Sequence, residues 1–327
     1  MATHGADEPV ARSEDDWLRA VRPRFVDGPR VRVGIGHDCA VVRIDGTNVV
    51  MKTDTVIDGV DFVLTECGPI AAARKALAVA VSDLAAAAAW PRACLLSAVL
   101  PQGAAFALFD GLAEGFAAAA RVFDCDVVGG DTSVAAAPLV LTVMVVGEPM
   151  PGGPLTRAGA RPGDHLSVTG PLGGSILGRH LTFVPRLAEA AALVARAVPH
   201  AMMDLSDGLS TDLPRLCAAS GVDALLDARL VPLHPDAVRC SARAGDLRTP
   251  IEHALNDGED FELLVAHAPI SDGLRAELLA VGVVLHRIGT VEEGPGRVRI
   301  TSGEPPVPLP RGGYDHLRDC RGSRGNP

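Results

Sequence analysis

Eight of the fifteen residues from 149 to 163, PMPGGPLTRAGARPG, are proline or glycine, and this break constrains the fold more than any other feature. Proline fixes φ and removes a donor, while glycine adds backbone freedom, so neither a regular helix nor a sheet ladder runs across such a stretch. On either side lie about 150 residues or more, enough for each side to bury its own core. The sequence therefore predicts two domains, residues 1–151 and 152–327.

In the first half, β-branched runs alternate with alanine-rich stretches, predicting strands over 47–51 and 93–100 and helices over 69–89 and 102–121. Residues 139–146 are continuously apolar and β-branched, which fits a strand buried on both faces or lying in a dimer interface. The second half reads as a strand over 165–169, a Gly-Pro-Leu-Gly-Gly turn into a helix, helices over 186–198 and 209–220, and strands over 222–226 and 261–266. That order is mixed α+β, not a strict βαβ repeat. The polar, glycine-containing tail from 318 to 327 is expected to fray. Aromatic residues make up only 3% of the chain, so the cores must be built from Ala, Val and Leu.

A net charge of -10 argues against a nucleic-acid or anionic-membrane surface, and a small anionic substrate would need metal ions to approach. No apolar run reaches the roughly 20 residues of a membrane span, and the polar opening MATHGADEPVARSEDDW lacks the order of a signal peptide. A cytoplasmic location is expected. Seven cysteines without a C-x-x-C pair suggest neither a disulfide framework nor a zinc site, and Cys39 reads as a small buried hydrophobe.

Six segments set acidic side chains beside Gly, Ser, Thr or Asn where elements are expected to end. They are Gly34-Ile-Gly-His-Asp38, Lys52-Thr-Asp-Thr55, Ser82-Asp83, Gly129-Gly-Asp-Thr132, Asp204-Leu-Ser-Asp-Gly208 and Asn256-Asp-Gly-Glu-Asp260. Any one alone is ordinary turn or helix-cap chemistry. Together they supply what several magnesium ions need, because magnesium binds through one or two carboxylates each plus substrate phosphates. Phosphoryl transfer relies on positioning and charge neutralisation, so such a cage needs no covalent nucleophile. The glycine-rich GPLGGSILG at 170–178 lacks the lysine of a phosphate cradle, and Gly34-Ile-Gly-His-Asp-Cys lacks the third glycine of a dinucleotide fingerprint. Arg74 and Lys75 read as a solvated helix face, whereas Arg157 falls between domains, where ligands often bind.

In order along the chain, GIGHDCAVV, KTDTVIDGVDF, VSDLAA, VGGDTS, PLTRAGARPGDHLSVTGPLGGS, MMDLSDGLSTDL, NDGEDFELL and GGYDHL resemble the thiamine-monophosphate kinases, within the aminoimidazole-ribotide synthetase-like ATP-binding superfamily. The resemblance implies an α+β two-domain fold, a homodimer whose N-terminal domains pair into a β-barrel-like core, and magnesium-assisted transfer from ATP to thiamine monophosphate. By motif match, Asp38, Thr53, Asp54, Asp83, Asp131, Asp204 and Asp207 would be metal ligands, with Asp207 and Asp83 catalytic. Gly130, Asp131, Arg157 and Ser206 would contact ATP; Glu259, Tyr314 and the residue at 61 would line the acceptor site.

Three positions depart from the family pattern. His37 stands where a second aspartate is usual, and Lys52 where a small hydroxyl residue is frequent. Asp61 stands where a histidine meets the substrate, so it is expected either to face a cationic part of the ligand or to turn away. Two other readings fit the same motifs: a related synthetase or dehydratase that activates an oxygen with ATP, and a nucleotide-binding dimer without turnover.

Overall fold

The computed structural model describes residues 13–319. Its first sheet is open, with six strands in the order β1-β2-β3-β6-β4-β5. These are β1 (Val31–Val33), β2 (Ala40–Ile44), β3 (Thr47–Ile57), β4 (Ala89–Pro101), β5 (Asp126–Ala135) and β6 (Val140–Pro149). All neighbours are antiparallel except β4 and β5. Asp45 and Gly46, both at positive φ, make the two-residue turn between β2 and β3, the hairpin geometry that Asp-Gly favours.

Ahead of this sheet lies helix α1 (Glu14–Val21); helices α2 (Leu64–Ala86) and α3 (Phe106–Phe123) cover one face of the sheet. A non-helical Gly68 (φ 72°) interrupts α2, so its regular part begins at Pro69, where a missing N–H costs nothing. From there α2 is buried nearly all round, and its small alanines let strands and α3 approach closely. In β6 burial alternates: Leu141, Val143 and Val145 face α2, while Val140, Thr142, Met144 and Val146 lie half-buried on the uncovered face. Residues 139–146 are thus not buried on both faces within one chain, because helices cover only one side.

The second sheet has seven strands in the order β13-β12-β9-β11-β7-β10-β8. They are β7 (His165–Val168), β8 (Pro199–Asp204), β9 (Val222–Asp227), β10 (Leu263–His267), β11 (His286–Glu293), β12 (Val298–Thr301) and β13 (Val307–Pro308). Only β9 and β12 pair in parallel. The turn after β7 leads not into a regular helix but into a 3-10 turn and the four-residue α4 (Arg179–Thr182), since four glycines in nine residues leave little helical preference. Helix α5 (Leu187–Val194) is shorter than predicted, and α6 (Leu209–Ser220) matches its prediction. Most of the tail expected to fray lies outside the described residues.

Edge strand β8 packs against α2, with Met202, Leu263 and Val265 meeting Ala85 and Ala86 in one apolar cluster. That seam points Asp204, the last residue of β8, at the final turn of α2.

Candidate functional site

Between the two sheets opens a cleft of 960 Å³. Its floor is acidic. Asp38 comes from the turn before β2, Asp83 from the last turn of α2 and Asp204 from the end of β8. One carboxylate oxygen of each lies within 4.8 Å of the other two, and all three residues are buried. Ser82 donates to Asp204 at 2.6 Å, binding the halves together at this point. Burial, then the charge of Asp38, pushes the Asp204 carboxyl up to about 7. Burial also raises Asp83, with Lys52 pulling the other way and Asp204 and Asp54 adding to the rise.

Lys52 and Asp54 share the α2-facing side of β3, two residues apart. The Lys52 ammonium lies 2.9 Å from Asp83 and 3.4 Å from Asp54. Burial opposes its charge, but Asp83 and Asp54 outweigh that and hold the ammonium well above its usual range. Asp54 Oδ2 is buried without a hydrogen-bond donor. Thr53, pointing the other way along the strand, also borders the cleft. Three segments expected at element ends sit inside elements instead: residues 52–55 in β3, 82–83 in α2 and 129–132 in β5. Their threonines, valines and alanines fit those elements, and this outweighs the turn preference of aspartate.

Two arginines face the acidic floor. Arg157 grips Asp38 in a fork, at 2.8 Å and 3.4 Å. Arg215, on α6, donates to Asp207 and, at 3.2 Å, to Asp212, and it reaches Asp15 of α1 at 3.3 Å. The carboxylates at Asp207 and Asp212 hold its guanidinium above its usual range against the cost of burial. The sequence singled out Arg157 but not Arg215. A basic residue two helical turns after an Asp-Gly start was its only signal.

At the other end of the cleft, Lys75 is fully buried, not solvated. It donates to Glu259 at 2.5 Å, meets His180 at 2.9 Å and donates to the Asp61 carbonyl oxygen. Arg74 donates to the carbonyls of Leu181 and Phe183 at 2.9 Å and 2.6 Å, closing the end of α4. The expected solvated face fails because α2 has no polar side to present. Burial pushes the Glu259 carboxyl up, but His180 and Lys75 outweigh it and hold it low. Glu259 and Phe261 both adopt positive φ, 52° and 51°, backbone strain of the kind that accumulates at functional loops. The Asp61 carboxylate accepts the Ile57 N–H at 2.7 Å, within its own turn, and the residue borders the cleft. Ser206 and Tyr314 border the cleft, and the Tyr314 N–H donates to the Asp207 carbonyl at 2.9 Å.

Gly130 and Asp131 stand apart. They lie on edge strand β5, paired with Leu96 and Ser97, exposed and outside the cleft of a single chain. A Cβ on Gly130 would meet the Leu96 carbonyl oxygen at 1.8 Å, so strand contact alone demands glycine there.

Carboxylate oxygens are the hard donors that magnesium prefers, and this buried, under-compensated set fits such an ion. Cys39 is inert: its thiol is 4% exposed, donates to the Asp83 carbonyl at 3.3 Å, and is pushed up by burial. No helix among the described residues is long and apolar enough to cross a membrane.

Residues 36–148 match the family described as AIR synthase related protein, N-terminal domain, and residues 161–301 its C-terminal domain. The thiamine-monophosphate kinase of Rhodopirellula baltica is 38% identical over 85% of this chain and 89% of its own length. That of Escherichia coli K12 is 34% identical over 88% and 92%. The solved structure of AaThiL complexed with AMPPCP and TMP superposes with a TM-score of 0.79 at 27% identity, covering 93% of this chain and 97% of that one.

Proposed function

The chain belongs to the thiamine-monophosphate kinase family, and on that premise we propose that it phosphorylates thiamine monophosphate to the diphosphate with ATP and Mg2+. The observation that carries this reading is the buried triad Asp38, Asp83 and Asp204, gathered from both halves of the chain at the floor of one cleft. Magnesium held there, with Thr53, Asp54 and Asp207 bordering, would neutralise charge on the transferring phosphoryl group. Asp83 and Asp207 are the carboxylates we assign to the chemistry itself.

Arg157 and Arg215 are spent on carboxylates in the free protein. With metal on Asp38 and Asp207, the two guanidiniums would be available to phosphate oxygens, for which their planar forks suit them. Ser206 lies beside them for nucleotide contact. Glu259 and Tyr314 border the acceptor end, where Lys75 holds Glu259 in place. Asp61 accepts the Ile57 N–H, which shapes that turn, and it borders the same cleft.

Gly130 and Asp131 enter this scheme through a second copy. Residues 126–134 of β5 are exposed, the neighbouring face of the sheet is apolar, and the sheet is open. We assign a homodimer whose first sheets close into a barrel-like core, carrying Asp131 toward the nucleotide. The domains then divide at 151/152, in the cytoplasm, where ATP is supplied. A Val128→Asp chain is expected to sediment as a monomer and lose activity; a fully active monomer would remove Asp131 from the site.

No cysteine among the described residues lines the cleft, which disfavours a reading through a covalent thiol intermediate. Incubation with ATP, Mg2+ and thiamine monophosphate should yield thiamine diphosphate. ATP binding without that product would overturn the assignment.

A further inference from the structure

Within the acidic floor, Lys52 is the only lysine among the described residues that reaches the carboxylates of Asp54 and Asp83. It cannot easily be elsewhere. Position 52 is held in mid-strand by its pairing with Val145 of β6, and the β2 ladder ends one residue before it at Met51, so the pleat fixes which face it presents. That face also carries Val50 and Val56, both buried against α2, and Asp54. The side chain runs along apolar surface and delivers its ammonium into a space bounded by Asp83 and Asp54, with a quarter of the side chain exposed (24%).

We propose that the Lys52 ammonium takes the place of one divalent cation, acting as the resident counter-ion of Asp54 and Asp83, so that this chain holds its nucleotide with one metal ion fewer than a cage with a neutral residue at position 52. This rests on the magnesium–nucleotide reading above and deepens it.

The chemistry favours the fixed charge. A magnesium ion between Asp54 and Asp83 would need oxygens about 2.0–2.1 Å away and several retained waters, in space that the ammonium and its methylenes already fill. It would also stand beside a like charge in a partly desolvated site, where repulsion is weakly screened. The triad of Asp38, Asp83 and Asp204 shares Asp83 with this pair but does not depend on Asp54, and Asp38 and Asp204 add two carboxylates to hold an ion. Lysine therefore removes one metal position without dismantling the other.

Manganese, which replaces magnesium and is countable by electron paramagnetic resonance, gives the test in the presence of a non-hydrolysable ATP analogue. Lys52→Ser is expected to bind one more Mn2+ per chain than the native protein. Equal counts would overturn the proposal. If neither protein held Mn2+ with the analogue, the metal–nucleotide reading of the cleft would fall, and the proposal with it. Lys52→Thr, with a β-branched side chain suited to a strand, repeats the count if the serine variant does not fold. The native protein supplies an independent readout: the Lys52 ammonium 15N resonance, assigned by its loss in Lys52→Arg, should keep slow proton exchange with Mg2+ and analogue bound. Its passage to fast, solvent-like exchange would show that magnesium displaces lysine and would overturn the proposal.

Discussion

Lys75 and Glu259 meet at 2.5 Å across the seam between the two halves, one from the largely buried helix α2 and the other from a loop held at positive φ. Removing one partner of a buried pair leaves the other charge uncompensated, at a cost of about 3–5 kcal/mol when burial is complete. Glu259 keeps 26% of its side chain exposed, so the lower end applies. Lys75→Met should lower stability by about 3 kcal/mol in urea unfolding. Adding Glu259→Gln should restore part of that loss. A double variant as unstable as the sum of its parts would show that the two charges do not interact.

Asp61 spends its carboxylate on the Ile57 N–H at 2.7 Å, inside its own turn. Asp61→Asn keeps a side-chain oxygen able to accept that bond and removes the charge. KM for thiamine monophosphate should stay within about fivefold, since a neutral-acceptor bond is weaker than a charged one by only about 1 kcal/mol. A tenfold fall in KM on removing the charge would mean that Asp61 does face the acceptor phosphate.

What the sequence reveals of this site is its anions. Asp38, Asp83 and Asp204 lie far apart in the chain, yet each sits in a short polar break in an apolar context, and their chain order matches one family. The cations are less visible. Arg215 gives only a faint pattern because its partners Asp207 and Asp212 come from the same helix start, where aspartate is ordinary. Lys75 is legible as buried: on a helix apolar on nearly every side, a lysine has no solvent face to occupy. In β3 and β5 the β-branched neighbours carry the strand through the aspartates, and the turn preference of Asp beside Gly or Thr masks this in the sequence. The apolar run of β6 hid its alternation because its uncovered face is apolar as well, so period two disappears from the sequence although burial follows it.

Gly130 tests packing apart from ligand contact. With a Cβ 1.8 Å from the Leu96 carbonyl oxygen, Gly130→Ala must push β5 off β4. Such overpacking typically costs about 1–3 kcal/mol, and a shift in thermal midpoint of several degrees is expected even without nucleotide. Unchanged melting together with lost ATP binding would assign Gly130 to the nucleotide instead.

Asp204 gives the metal-free protein a pH dependence of definite sign. Burial, then Asp38, raises its folded value from 3.8 to about 7, so the folded state binds the proton more tightly than the unfolded chain. That contribution is complete below the unfolded value and is lost as pH rises through about 7. It amounts to on the order of a few kcal/mol. Magnesium reverses the trend, because it binds the deprotonated carboxylate and competes with the proton. Without metal, the melting temperature should fall between about pH 5 and about pH 7.5, and the increment from added Mg2+ should be larger at about pH 8 than at about pH 6. Asp204→Asn should flatten both trends while keeping the hydrogen bond with Ser82 available. If the native protein melted identically across this range with and without Mg2+, Asp204 would be neither a buried titrating acid nor a metal ligand.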